Sequence, residues 1–263
     1  MPGKAEILRK LHQGPRILVL PNAWDVASAR IFEAAGFPAI ATSSAGVANA
    51  LGYPDGEKIP RDEMIWMVKR VARAVSVPVT ADMEAGYGDP VGTALAVMDA
   101  GAVGMNFEDS SIDGSLANLA TQVRSIEQIR AASDIVINAR TDVYLFGVGD
   151  EATRFDRTVE RLNAYHKAGA DSLFVPGVRD VETIGRLAKA VTGPLNVLAT
   201  AGAPSIAELE RLGVRRVSVG SGPMRASMGL TQRIAKELKD HGTFASMTDG
   251  AMSYKAANEL FMK

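Results

Sequence analysis

One phrase recurs four times along the chain: a helix-like segment closes on a glycine, and two to four residues later an apolar run begins. It reads Ala35-Gly36-Phe37 before Ala39-Ile40-Ala41-Thr42, and Ala100-Gly101-Ala102 before Val103-Gly104-Met105-Asn106-Phe107. It returns as Ala168-Gly169-Ala170 before Ser172-Leu173-Phe174-Val175, and as Leu212-Gly213-Val214 before Arg216-Val217-Ser218-Val219. A glycine so placed ends a helix by taking the left-handed conformation, and the strand that follows is fed through a short αβ loop. Each copy is the second half of a βαβ unit. Further strands are predicted at Ile17-Leu18-Val19-Leu20, after Val77-Pro78, at Ile135-Val136-Ile137-Asn138-Ala139, and at Leu195-Asn196-Val197-Leu198, which makes eight.

Between them the apolar spacing is helical. Asp25 is placed to cap a helix over residues 26–35. Met64, Met67, Val68, Val71, Ala72 and Val75 fall on one face, with Arg61, Asp62, Lys69, Arg70 and Arg73 on the other. Strand and helix alternating eight times over about 250 residues is the arithmetic of a (β/α)8 TIM barrel, an α/β fold. We expect one such domain over residues 1–263, with 241–263 as a C-terminal extension carrying an apolar stripe of Tyr254, Ala257, Leu260 and Phe261. The alternative is a doubly wound open sheet. That fold favours a glycine-rich turn after the first strand, where Pro21-Asn22-Ala23-Trp24-Asp25 has none.

Composition narrows the chemistry. A net charge of -1 supplies no field for nucleic acid or an anionic membrane surface, so neither is expected as a partner. With no cysteine, thiolate catalysis, disulfides and Cys-ligated metals are excluded. Charges interrupt the first ten residues, and no apolar run reaches membrane-spanning length, so a cytoplasmic protein is expected.

In a barrel of this kind chemistry gathers at the carboxyl ends of the strands. Sorting by that rule gives Asn22; Thr42, Ser43 and Ser44; Asp82 and Glu84; Glu108 and Asp109; Arg140 and Asp142; Pro176-Gly177; Thr200; and Gly220-Ser221-Gly222. Asp82, Glu84, Glu108 and Asp109 come from adjacent strands and face Arg140 on the next. Clustered carboxylates call for a cation or for raised pKa values, and a site of oxygens alone suits Mg²⁺ or Mn²⁺. Arg140 suits a forked bond to a substrate carboxylate or phosphonate. The alternative is a structural ion-pair layer around Arg140. The segments 43–60 and 110–120 are longer than a barrel needs, and the second has a lid's composition. His12, His166 and His241 all lie off the strand ends and read as surface or terminal residues.

These residues also carry a family likeness. Pro21-Asn22-Ala23-Trp24-Asp25, Ala41-Thr42-Ser43-Ser44 leading to Leu51-Gly52-Tyr53-Pro54-Asp55, Asp82-Met83-Glu84-Ala85-Gly86-Tyr87-Gly88, Asn106-Phe107-Glu108-Asp109 and Ala139-Arg140-Thr141-Asp142 together resemble the isocitrate lyase and phosphoenolpyruvate mutase superfamily. The resemblance implies a barrel whose last helix is swapped between subunits of a dimer or tetramer. It implies Mg²⁺ held directly by Asp82 and through water by Glu84, Glu108 and Asp55. It further implies that Ser43 and Ser44 offer backbone N–H groups to a substrate carboxylate and that Arg140 stabilises an oxyanion. The catalytic candidates are therefore Arg140, Asp55 and Glu108, and Thr200 joins Ser43, Ser44 and Arg140 as a substrate-binding candidate.

The expected reaction is that of a Mg²⁺-dependent lyase or decarboxylase acting on a small 2-oxo or 2-hydroxy carboxylate through an enolate-like pyruvate fragment. The alternatives are a P–C bond enzyme of the phosphonopyruvate hydrolase or phosphoenolpyruvate mutase type, with Asp55 near the transferring group, and a non-catalytic oxo-acid-binding barrel. The superfamily lyases carry a catalytic cysteine in a Lys-Lys-Cys-Gly-His-type loop after the fourth strand. Here that loop reads Asp109-Ser110-Ser111-Ile112-Asp113-Gly114-Ser115.

Overall fold

The short β-branched runs become strands and the amphipathic segments become helices in a computed structural model that describes residues 2–262. Met1 and Lys263, the ends of the expected 1–263 domain, lie outside the described residues. Elements follow in the order α1 (Lys4–Gln13), β1 (Leu18–Leu20), β2 (Asn22–Ala23), α2 (Val26–Ala34), β3 (Ile40–Thr42), α3 (Ser44–Ala50), α4 (Arg61–Ala74), β4 (Val79–Asp82), α5 (Pro90–Asp99), β5 (Gly104–Glu108) and α6 (Leu119–Ala132). Then come β6 (Val136–Arg140), α7 (Glu151–Lys167), β7 (Ser172–Val175), α8 (Val181–Ala190), β8 (Leu195–Leu198), α9 (Ile206–Arg211), β9 (Arg216–Ser218), α10 (Gly222–His241), α11 (Ala245–Thr248) and α12 (Tyr254–Glu259).

All strand pairs are parallel, in the order β1-β9-β8-β7-β6-β5-β4-β3-β2. The nine strands are the eight expected, because the first is cut in two at Pro21, which has no N–H to continue the ladder. Its halves pair on opposite sides, β1 with β9 and β2 with β3, so the sheet curls into a (β/α)8 barrel. Asn22 staples this seam: its Nδ2 donates to the Thr42 carbonyl at 2.8 Å, while Oδ1 accepts the Val219 and Gly220 N–H groups at 2.9 Å each. The four helix-ending glycines all take positive φ, from 88° at Gly36 to 111° at Gly169.

The apolar core lies between the sheet and the inner faces of the helices, where Val68, Val71, Val97, Ile126, Leu162 and Leu187 are fully buried. Inside the barrel the filling is polar. Ser172 Oγ donates to Asn138 Oδ1, Asn138 Nδ2 donates to Asn106 Oδ1 at 2.7 Å, and Arg216 Nη2 reaches the same oxygen from across the barrel at 3.3 Å. The amino end is plugged by α1, with Leu8 packed among Leu18, Leu20, Ala39, Ala41 and Val136.

His12, expected at the surface, is buried in this plug. Burial, helped by the charge of Arg216, holds its imidazole down to about 3. The neutral ring donates from Nδ1 to the Leu8 carbonyl at 2.8 Å and offers Nε2 to Arg216 Nη1 at 3.4 Å.

Two other expectations are corrected. Seven residues of the 43–60 segment are not loop but α3, built from small residues without an apolar stripe. In the tail, Tyr254 and Phe261 are exposed, and Ala256 and Leu260 are the residues turned toward α2 and α4, where they line a cavity with Arg30 and Arg73. α10 buries only Met224 and leaves Met228 and Leu238 about half exposed, at 54% and 48%.

Candidate active site

Asp82 ends β4 and is held from three sides. Its own N–H donates to Thr42 Oγ1 at 3.0 Å. Its Oδ2 accepts the Ser44 N–H at 3.0 Å and the Ser44 hydroxyl at 2.8 Å, and its Oδ1 accepts Asn106 Nδ2 at 3.2 Å. Ser44 is positioned by the start of α3, where Ser43 Oγ caps the helix by accepting the Gly46 N–H at 3.2 Å. A side chain at Gly46 would bring its Cβ within 2.9 Å of Trp24 Cβ, so the turn depends on that glycine. The Ser43 N–H is bonded to the Ala23 carbonyl at 3.0 Å. Thus the two amides expected to face a substrate carboxylate are both engaged, one by the sheet and one by Asp82.

Next to it the backbone is strained. Among the described residues, the non-glycine positions with positive φ are Glu57 (55°), Glu84 (50°) and Tyr87 (55°). They tie to one another: the Glu57 N–H donates to Glu84 Oε2 at 2.8 Å, and the Tyr87 N–H donates to Glu57 Oε1 at 2.7 Å. Such conformations cost on the order of 1–3 kcal/mol each and gather at functional sites. Burial, then the charges of Asp55 and Asp82, push the Glu84 carboxyl up to about 8.

Glu108 and Arg140 are register partners at the ends of β5 and β6. Glu108 Oε2 lies 2.7 Å from Arg140 Nη1 but accepts no aligned hydrogen bond. Burial raises the Glu108 carboxyl well above its ordinary range; Arg140 opposes this and the charges of Asp142 and Asp82 add to it. The guanidinium of Arg140, which burial alone would weaken as a base, is instead raised by Glu108 and Asp142. Its fork is occupied, with Nε and Nη2 on the two oxygens of Asp142 at 2.6 and 2.9 Å, so only Nη1 is turned to the mouth.

Asp109 departs from the expected cluster. It points out of the barrel, where Oδ2 accepts Arg161 Nε and the Tyr165 hydroxyl at 2.7 Å each and Oδ1 accepts the Asp142 N–H at 3.0 Å. An ion-pair layer around Arg140, the alternative reading, is present in its contacts with Asp142 and Glu108, whereas Asp109 belongs to a separate pair with Arg161.

Ser44, Asp55, Glu57, Glu84, Glu108 and Arg140 line one cavity of about 240 Å³, together with Ile112, Leu145 and Phe146. Asp55 is on its exposed rim, with its carboxyl raised by desolvation and by the charge of Asp82. Thr200 is not among the residues lining it and is half-buried in the turn before Ala203. Glu57 and Tyr87 were missed: nothing local marks a glutamate for the left-handed region, although its place just after Asp55-Gly56 is a signal in hindsight. Asp142 was seen as a strand-end residue but not as the group that fills the arginine's fork, although two residues along a strand share a face.

Do these residues suit Mg²⁺? The donors are all oxygens, and four carboxylates, those of Asp55, Glu57, Glu84 and Glu108, line the cavity against the guanidinium of Arg140. Asp82 is not among the lining residues and adjoins the cavity through Ser44, which donates to it. Asp82 Oδ1 accepts one hydrogen bond and keeps a lone pair, and Glu108 Oε2 is short of an aligned donor. Among the described residues no three His, Asp or Glu side chains converge into a direct cage. Mg²⁺ is commonly bound by one or two carboxylates with waters completing its shell, so a fit here rests on Asp82 and on water between the ion and the other acids.

The family model for phosphoenolpyruvate phosphomutase matches residues 8–239. An uncharacterized protein of Mycobacterium tuberculosis is 38% identical over 87% of each chain. An oxaloacetate decarboxylase of Rhodopseudomonas palustris is 30% identical over 90% of this chain and 84% of its own. Among solved structures, a putative lyase/mutase from Burkholderia cenocepacia superposes with a TM-score of 0.91 at 37% identity, covering 99% of this chain and 96% of that one. An oxaloacetate acetylhydrolase in complex with the product oxalate superposes with a TM-score of 0.87 at 25% identity over 98% and 93%. By its matched length and its barrel, this chain belongs to the phosphoenolpyruvate phosphomutase family, within the PEP mutase/isocitrate lyase superfamily.

Proposed function

We propose that the protein is a Mg²⁺-dependent lyase or decarboxylase that acts on a small 2-oxo or 2-hydroxy carboxylate through an enolate-like pyruvate fragment. The observation that carries this reading is the mouth itself, where Glu84 and Glu108 are held above their ordinary pKa and Arg140 presents one N–H edge beside them. Asp82 would hold the ion directly, with Glu84, Glu108 and Asp55 outside it through water. When bound, Mg²⁺ supplies the positive charge that stabilises an enolate oxygen.

The protein's own groups do the rest. Asp142 locks two edges of the Arg140 guanidinium, which leaves Nη1, shared with Glu108 at 2.7 Å, as the edge that an oxyanion would meet. Asn106 and Ser44 fix the plane of Asp82. Ser43, by capping α3, holds Ser44 against the substrate end of the cavity. The oxaloacetate decarboxylase relative and the oxalate-bound neighbour act on or bind small carboxylates of the class this mouth suits. The reading includes a homo-oligomer in which α10 packs on a neighbouring subunit, supported by the apolar residues it leaves exposed.

Turnover of a panel of 2-oxo and 2-hydroxy acids, measured with and without Mg²⁺, tests the reading. Asp82→Ala is expected to abolish Mg²⁺-dependent turnover, and unchanged turnover refutes the role.

A further inference from the structure

The cavity has two unlike ends. Its floor holds Glu84, Glu108 and Arg140, whereas its outer wall is made by Ile112, Leu145 and Phe146, which are 59%, 42% and 42% exposed. Large apolar side chains left in water at the edge of a polar cleft are a signal in themselves. Their placement is specific, because the Ile112 and Phe146 side chains and the Leu145 backbone are each seated against a glycine of positive φ on another loop.

A Cβ on Gly56 would fall 2.5 Å from Ile112 Cδ1, and one on Gly114 would fall 3.1 Å from the Phe146 ring. One on Gly177 would fall 2.7 Å from the Leu145 backbone. Four different loops, those after β3, β5, β6 and β7, thus meet to build one apolar wall.

Charge points the same way. Arg140 is the single cation among the described residues lining the cavity, and its fork and edge already serve Asp142 and Glu108. A second carboxylate or a phosphonate on the substrate would meet no free cation at the outer end, and would lie near Asp55 and Glu57. An uncharged apolar group would meet three side chains able to cover it.

We propose that the part of the substrate beyond its oxo-carboxylate is uncharged and apolar, an alkyl or aryl group that packs on Ile112, Leu145 and Phe146. The inference rests on the function proposed above and narrows it, favouring cleavage next to an apolar substituent over decarboxylation of a dicarboxylate or cleavage of a P–C bond.

Calorimetric titration of the full chain in Mg²⁺ tests it with oxalate, 2-oxopentanoate, 2-oxoglutarate and phosphonopyruvate. The middle two have the same carbon count and differ in ending on a methyl or a carboxylate. We expect oxalate to bind, and 2-oxopentanoate to bind at least about tenfold more tightly than 2-oxoglutarate or phosphonopyruvate, in the range that apolar pocket contacts give. Phe146→Lys, or Leu145→Lys should the first variant fold poorly by circular dichroism, is expected to shift the preference toward 2-oxoglutarate. If oxalate binds but 2-oxoglutarate or phosphonopyruvate matches or exceeds 2-oxopentanoate, this inference is overturned and the proposed function stands. If oxalate shows no Mg²⁺-dependent binding, the proposed function falls and takes the inference with it.

Discussion

Glu108 and Asp109 are consecutive and both withdrawn from solvent, yet they sit in opposite electrostatic circumstances. Asp109 is turned out of the barrel, where Arg161 and Tyr165 satisfy one oxygen and the Asp142 amide the other. Glu108 is turned into the mouth, where Arg140 is near but shared, and burial, then neighbouring carboxylates, raise its pKa. One carboxylate is finished by the fold and the other is left wanting a positive charge. A buried acid identifies a site only when its compensation is incomplete, which separates a structural pair from a functional one.

Removing each acid should therefore break different things. Asp109→Ala strands the Arg161 guanidinium and is expected to cost about 3–5 kcal/mol of stability, read from denaturant midpoints.

The second effect is in pH. The unfolded chain releases the Glu84 proton near 4.5, while the folded chain holds it to about 8, so between those values the folded state binds more protons. With Mg²⁺ chelated, stability should fall as pH rises through that window, by on the order of 5 kcal/mol, and Glu84→Gln should flatten the slope. A wild-type curve that rises across the window would remove the case for an uncompensated mouth.

Glu108→Gln is expected to lower turnover about a hundredfold while changing stability by less than about 1 kcal/mol, the reverse of Asp109→Ala. The smallest effect is at the strained loop. Glu57→Gly gives up the bond to the Tyr87 amide but relieves a left-handed residue, so its net stability change should stay within about 1 kcal/mol, measured by thermal unfolding.

The barrel was legible because its signal is local and repeated. A glycine able to end a helix, followed at once by a β-branched run, needs no distant partner to be read. The split of the first strand was legible in Pro21, had the missing N–H been followed through. The opposite facing of Glu108 and Asp109 was also available, since side chains alternate along a strand and Asn106 and Glu108 must share a face.

What could not be read depended on contacts far apart in sequence. Arg216 reaches Asn106 across the barrel, and His12 is buried because α1 plugs its base. The Glu57 to Glu84 bond joins loops with no common local pattern. α3 was hidden because its small residues carry no apolar stripe and one of its end contacts, the Ser44 amide on Asp82, comes from a distant strand.

The central claim is that Asp82, Glu84 and Glu108 leave a charge deficit that one divalent ion meets. Mg²⁺ titration by calorimetry at pH 7, repeated in buffers of different ionisation enthalpy, tests it most directly. The account predicts one saturable site, proton release on binding, and loss of both in Asp82→Ala. Absence of saturable binding, or binding that survives Asp82→Ala with the same proton count, would contradict it.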